Sequence, residues 1–278
     1  MAAGAETEPD YQRLAFRYEG AAQDDGRHPV IVIGAGPVGL ATAIDLAQQG
    51  LPVLLLDDDD KLSQGSRHLL RQADARDLRP ARLRPAHGRQ GRDLEQRQGL
   101  LPGGGCLRFD LLPEGGHRRP AFINLQQYYV EGFLLDRAQS LPGIDIRWKH
   151  RVTGLRQDGD GITIEVETPD GSHRLSCDWL IAADGARSAM RKALGLVGGG
   201  QTLRDRFLIA DVRMEADFPA ERWFWFDPPF IRISRCCCIG SRTRFGASIF
   251  NSDGMRIPIA EQKLQIIPRV RRSWRGVV

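Results

Sequence analysis

The chain has 278 residues, 41% of them hydrophobic, and a formal net charge of +4, the composition of a soluble globular protein with room for one large domain or two modest ones. No apolar run approaches the roughly 20 residues that span a bilayer. The polar, acidic residues 1–26 lack the cationic start and apolar stretch of a secretory signal. A membrane protein is thereby excluded, and a cytoplasmic location is expected, with residues 1–28 as a tail or docking arm.

The five cysteines are Cys106, Cys177 and the consecutive Cys236, Cys237 and Cys238. They suit neither a disulfide framework nor the paired spacing of a metal site, so no metal is expected and a reducing compartment follows. The net charge conceals two basic blocks, +5 over residues 67–105 and +8 over 231–278, which leave −9 on the rest. Charge gathered in two blocks is not the spread basic face that nucleic acid needs.

Residues 29–33, Pro-Val-Ile-Val-Ile, form a short β-branched run suited to a buried parallel strand. Gly34-Ala35-Gly36-Pro37-Val38-Gly39 follows, then Leu40, Ala43, Ile44 and Ala47 at helical spacing up to Gly50. Residues 51–56 make a second apolar strand ending at Asp57. Each glycine has a task in a dinucleotide site: Gly34 in the turn, Gly36 where backbone approaches a pyrophosphate, Gly39 where the helix packs on the sheet. The helix N-terminus attracts the phosphates. Asp57, 18 residues past Gly39, stands where an acid accepts ribose hydroxyls. Strand, turn, helix, strand and acid in register point to dinucleotide binding, without separating FAD from NAD.

Further on, residues 122–138 have the pattern of an amphipathic helix with Tyr129, Phe133 and Leu134 as its core face and Glu131 in solvent. Strands are expected at about 144–156, 161–168 and 173–177, joined by Asp158-Gly159-Asp160-Gly161 and Pro169-Asp170-Gly171 turns. Residues 178–191 run from an apolar strand into Asp184-Gly185 and then a helix carrying Arg187 and Arg191. Read alone, Asp184 is an N-cap and Gly185 a turn glycine. Residues 207–215 alternate as a strand, and Trp223-Phe224-Trp225-Phe226 reads first as core packing.

The glycine-rich turn near the start, together with a strand ending in Asp-Gly-x-x-Ser-x-x-Arg far downstream, resembles the FAD-dependent aromatic hydroxylases of the para-hydroxybenzoate hydroxylase type. With Asp57 and the run from Lys61 to Arg67, the pattern most resembles the 3-(3-hydroxyphenyl)propionate hydroxylase-like branch. The resemblance implies an α/β fold: a Rossmann-like FAD-binding domain over 29–190 with a three-stranded β-meander, then an incomplete mixed β-sheet substrate domain over 191–278. It implies FAD as cofactor, NADPH or NADH as reductant, and a small aromatic substrate with O₂. It also implies cofactor contacts at Gly34, Gly36, Pro37, Gly39, Asp57, Arg67, Gln127, Asp184 and Gly185. The alternatives are a non-catalytic nucleotide-binding remnant and an NAD-binding dehydrogenase. No catalytic residue emerges: of His28, His68, His87, His117, His150 and His173, two lie in or beside the anomalous block 68–105 and the others lack a companion acid at usable spacing. Oligomeric state is not legible.

The resemblance breaks in two places. Residues 68–105 contain no Ile, Val, Lys or aromatic residue and no periodicity, which predicts a disordered basic insert. Codons exist for His68–Ala73 that, read one nucleotide later, give a family-like Ile-Cys-Phe. The same device turns the triple cysteine, within the anomalous stretch 231–256, into a leucine-containing strand. A frame-disrupted gene is therefore expected. A truncated one is expected too, since family members are about twice as long and carry a second, Gly-Asp flavin motif that nothing here matches. Impaired activity would follow.

Overall fold

Strand β1 (Arg27–Ile33) is apolar from Val30 onward, and that is its position in the fold: it is paired on both sides, to β2 (Val53–Leu56) and to β11 (Gly171–Ala182), parallel in each case. The computed structural model describes residues 11, 14–20, 26–62, 69–71, 92–94, 96–100, 106–110, 116, 122–200, 206–213, 221–226, 235–240 and 245–252. They fall into two compact units. The first takes Met1–Gly65, Leu78–Leu83 and Gln127–Gly199, and the second Ser66–Asp77, Arg84–Gln126 and Gly200–Val278.

In the first unit, β8 (Ile144–Arg147), β9 (Arg151–Asp158) and β10 (Gly161–Thr168) complete a six-stranded sheet in the order β8-β2-β1-β11-β10-β9. Its core joins Ile31, Ile33, Leu54 and Leu56 to Ile164, Val166, Leu175 and Cys177, with Met190 packed in. The alternate residues Val30, Val32, Val53 and Leu55 are buried too. A strand buried on both faces loses its polar alternation, so these runs read as continuous apolar stretches. Burial pushes the Cys177 thiol up to about 11, so it behaves as a small core side chain. Helix α1 (Pro37–Gln48) buries Gly39, Leu40, Ala43 and Ile44 and packs against α2 (Gln127–Gln139). The short α3 (Ala189–Ala193) packs on β9.

Three boundaries differ from the sequence reading. The expected strand over 144–156 is two strands, because Lys149 takes a left-handed φ of 58° and turns the chain from β8, parallel to β2, into β9, antiparallel to β10. The meander strand expected at 173–177 and the strand leading to Asp184 are one strand, β11, paired with β10 over Gly171–Cys177 and with β1 over Ser176–Ala182. The helix begins at Gln127, not 122, since β7 (Phe122–Asn124) precedes it. Residues 11 and 14–20 pack on the first unit: Tyr11 is buried and Ala15 bridges Lys61.

The second unit contains β3 (Leu69–Arg71), β4 (Arg92–Leu94), β5 (Gln96–Leu100) and β6 (Cys106–Asp110), besides β7. Later come β12 (Arg206–Arg213), β13 (Glu221–Phe226), β14 (Arg235–Gly240) and β15 (Phe245–Ser252). They form a mixed sheet, β12-β15-β14-β13-β5-β6, with β13 and β5 parallel, and a small sheet, β3-β7-β4. Residues 69–71, 92–94 and 96–100 thus lie in strands where the sequence predicts an unstructured insert. Backbone pairing supplies there what the side-chain pattern does not announce. The remaining residues of 68–105 lie outside the described residues. The triple cysteine lies in β14, paired with β13 and β15. The sheet expected to begin at residue 191 also draws β5 and β6 from before residue 126.

A methyl group on Gly39 would fall 1.8 Å from the Gly34 carbonyl oxygen, so Gly39→Ala must push α1 off the sheet. This overpacking should lower unfolding free energy by about 1–3 kcal/mol in urea titrations. Val38→Ala, one residue away and 68% exposed, should stay within about 0.5 kcal/mol of the parent.

Candidate cofactor site

The register of the three parallel strands brings their C-terminal ends to one edge: Ile33 lies opposite both Leu56 and Ala182. Three segments therefore emerge side by side: the turn Gly34–Gly39 after β1, Asp57 after β2, and Ala183–Gly185 after β11. They are stitched together, the Gly34 N–H donating to the Leu56 carbonyl at 2.7 Å and the Ala183 N–H to the Ile33 carbonyl at 2.8 Å. In open α/β sheets the crevice beyond the strand carboxyl ends is where ligands sit.

The three glycines of the turn separate cleanly. Gly34 has φ 99°, and a Cβ there would meet the Ala183 carbonyl oxygen at 2.6 Å. Gly39 is required by the Gly34 carbonyl, as above. Gly36 is different: its φ is −73°, and a Cβ would have no heavy atom within 4 Å. Nothing in the described protein demands glycine at 36. The open space in front of it adjoins the N-terminus of α1, where Gly36 is the N-cap without a side-chain cap and Pro37 occupies the first helical turn. Unpaired N–H groups and the positive end of the helix dipole face that space. A bare backbone cradle at a helix N-terminus fits the pyrophosphate of a dinucleotide.

Asp57 has a structural task. Its Oδ2 accepts the Ala35 N–H and its Oδ1 the Asp59 N–H, the latter at 2.8 Å. The carboxylate thereby ties the glycine turn to the end of β2. Burial pushes its pKa up; the two backbone donors oppose the shift, and Asp58 and Asp59 reinforce it.

The Asp184-Gly185 segment closes on itself. Gly185 has φ 76° and its carbonyl accepts the Ser188 N–H at 3.2 Å. The N-cap of α3 is Ser188, not Asp184: the Ser188 hydroxyl accepts the Arg191 N–H at 2.9 Å, while Asp184 Oδ2 reaches the Met190 N–H at 3.1 Å. Arg191 donates from Nη2 to the Ala186 carbonyl at 2.6 Å. Asp, Gly, Ser and Arg of this motif thus all hold one loop at the strand edge. Ser188 and Arg191 stand in the motif but were not among the expected contacts, and Ser just before a short helix is the capping signal that would have found Ser188.

Gln127 opens α2 and donates from Nε2 to Glu131 Oε1 at 2.7 Å. Glu131 is 1% exposed, which corrects its reading as a solvated residue; one helical turn places the two side chains together. Arg67 lies outside the described residues. Among the described residues, no group of three or more His, Cys, Asp and Glu side chains gathers as a metal site.

Residues 27–248 match the family described as an FAD binding domain. Para-nitrophenol 4-monooxygenase of a Pseudomonas species is 33% identical over 66% of this chain and 46% of its own length. The 12-dehydrotetracycline 5-monooxygenase/anhydrotetracycline 6-monooxygenase of Streptomyces rimosus is 32% identical, over 69% of this chain and 38% of that protein. A 3-(3-hydroxy-phenyl)propionate/3-hydroxycinnamic acid hydroxylase of Klebsiella pneumoniae is 31% identical, over 66% and 33%. The crystal structure of p-nitrophenol 4-monooxygenase from Pseudomonas putida superposes with a TM-score of 0.78 at 26% identity, covering 88% of this chain and 62% of that one. The chain spans less than half the length of these curated relatives. Since the family match takes in the whole strand edge and most of the chain, this protein belongs to the family of FAD binding domains.

Proposed function

We propose that the chain forms the FAD-binding part of a monooxygenase that hydroxylates a small phenolic substrate, with NADPH or NADH as reductant and O₂ as co-substrate. The observation that carries this reading is Gly36, a glycine with no reason inside the described protein, standing at a helix N-terminus beside an acid at the next strand tip. The substrate class rests on the relatives, whose names specify a nitrophenol, a hydroxyphenylpropionate and an anhydrotetracycline.

Bound FAD supplies the redox chemistry, accepting electrons from the nicotinamide and activating oxygen. The residues of this chain bind and orient it. The turn at Gly36 and the N-terminus of α1 hold the pyrophosphate. Asp57 accepts the ribose hydroxyls through lone pairs left over from its two backbone donors. Gln127, its amide nitrogen bonded to Glu131, would offer its carbonyl oxygen to a donor on the cofactor. Asp184 and Gly185 wall the far side of the crevice, and Arg67 is assigned to the same contact set.

Asp57→Ala should weaken FAD binding by about 1.5–3 kcal/mol, the worth of a hydrogen bond to a charged group, as read by flavin fluorescence titration; a chain that takes NAD and no flavin would overturn the assignment. Gly36→Ala should weaken flavin retention yet change the melting temperature of the cofactor-free chain little, because the added methyl would have no heavy atom within 4 Å.

The pH dependence follows from Asp57. Its pKa is raised in the free chain, so falling pH protonates it above the ordinary carboxylate range, and the protonated acid is a poor acceptor for ribose. Affinity should be full above that raised pKa and decline as pH falls through it, whereas Asp57→Asn should be weak and flat. Ribose donors draw the pKa back down, so binding in this window should release protons, measurable by calorimetry in two buffers of different ionisation enthalpy.

A further inference from the structure

The loop that carries Asp57 is held from outside by two segments that the dinucleotide reading does not use. One is the turn at Lys149. The His150 N–H donates to the Asp57 carbonyl at 2.8 Å, the Lys149 N–H donates to the Asp59 carbonyl at 3.2 Å, and Lys149 Nζ pairs with Asp60 at 2.8 Å. Lys149 is the one non-glycine residue with positive φ among the described residues, and a left-handed lysine persists where its surroundings over-determine it.

The other segment is the arm, residues 11 and 14–20, which grips at three points. The Tyr11 ring lies against Gly132 of α2, so close that a methyl on Gly132 would fall 2.4 Å from ring carbons. The same ring stands edge-on to Tyr129 and Phe133, and its hydroxyl donates to Asp136. At the second point, Ala15 bridges Lys61 and the Phe16 N–H donates to the Asp60 carbonyl at 2.6 Å. At the third, Phe16 stacks on Trp148 with ring centroids 4.2 Å apart, and Tyr18 lies over His150 at 5.6 Å.

His150 is 2% exposed. Its Nδ1 sits 2.9 Å from the Trp148 carbonyl, which only accepts, so Nδ1 carries the hydrogen and Nε2 the lone pair. Among the described residues, His150 Nε2, His173 Nε2 and the Tyr18 hydroxyl are buried without a hydrogen-bond partner. The groups facing His150 are Tyr18 of the arm, His173 of β11, and Arg147 and Asp145 of β8, which form an ion pair. Arg17 and Glu19 of the arm border the same cavity of about 530 Å³. A proton added at Nε2 finds no partner in place there, and would add a charge beside Arg147. Burial, then Arg147 and His173, hold the imidazole below its usual range, against the Trp148 carbonyl and Asp145.

We propose that residues 11 and 14–20 are a strap that holds the Asp57 loop in place, and that protonation of His150 at acid pH releases it. The inference goes beyond the flavin reading and does not depend on it, since each readout below is made on the chain without cofactor. With the strap released, His150 meets water and takes a proton near the ordinary histidine value of about 6.5. Docking is therefore complete above that value and lost as pH falls through it, because the released state binds the proton more tightly.

The test is hydrogen exchange by mass spectrometry on the full chain, corrected for intrinsic rates. At about pH 7.5 the peptides covering 11–20 and 57–61 should be protected, and at about pH 5.5, one unit below the free imidazole, both should lose protection about tenfold and together. The meander strand 161–168 should not change. Gly132→Ala fills the seat of Tyr11 with one methyl while favouring helix in α2, so it should deprotect 11–20 and 57–61 already at neutral pH. His150→Phe should remove the pH response. Should that variant not fold, the C2–H exchange of His150 itself decides: it should titrate at lower pH in the parent chain than in Gly132→Ala. Unchanged protection of 57–61 in Gly132→Ala, a pH response that survives in His150→Phe, or the same His150 titration in both chains would each overturn the proposal.

Discussion

Everything at the strand edge depends on two backbones approaching with no side chain between them. The Gly34 carbonyl lies where a side chain on residue 39 would begin, and the Ala183 carbonyl where one on residue 34 would begin. These contacts let α1 start directly above β1 with its N-terminus over the crevice. They also bring β11 close enough that Asp57 and Asp184 flank one turn. A larger residue at either position would move the helix, and with it the open backbone at Gly36.

Asp57 shows how one residue can hold structure beside the chemistry proposed for it. A carboxylate at the tip of β2 that served only a ribose would leave the glycine turn anchored by sterics alone. Here it also accepts the Ala35 and Asp59 amides, which cost little to satisfy because a carboxylate has about four lone-pair sites. The turn is thereby shaped before any ligand arrives, and a preorganised site loses less entropy on binding. The burial that makes this arrangement rigid is the same burial that raises the acid's pKa.

The Asp-Gly motif follows similar logic. Its polar residues are largely consumed in capping α3 and closing the loop, yet that closure is what presents the Gly185 backbone at the crevice. Structural and cofactor roles are therefore compatible readings of the same residues. The Gln127–Glu131 pair repeats the pattern, since a buried carboxylate holding an amide nitrogen fixes which way the amide points.

The sequence by itself determined the local units: the apolar runs of β1 and β2, the glycine turn, Asp57 and the Asp-Gly strand were legible, because each is written in residues adjacent in the chain with a fixed period or a fixed conformational need. Tertiary structure alone decided what those units touch. That β11 is a single strand serving meander and parallel sheet, that Gly132 is glycine for the ring of Tyr11, and that Glu131 is buried all depend on partners far away in sequence. The strands within 68–105 belong to the same class, for their pairing comes from backbone groups that every residue carries, and such groups leave no mark in the side-chain pattern from which a strand is read.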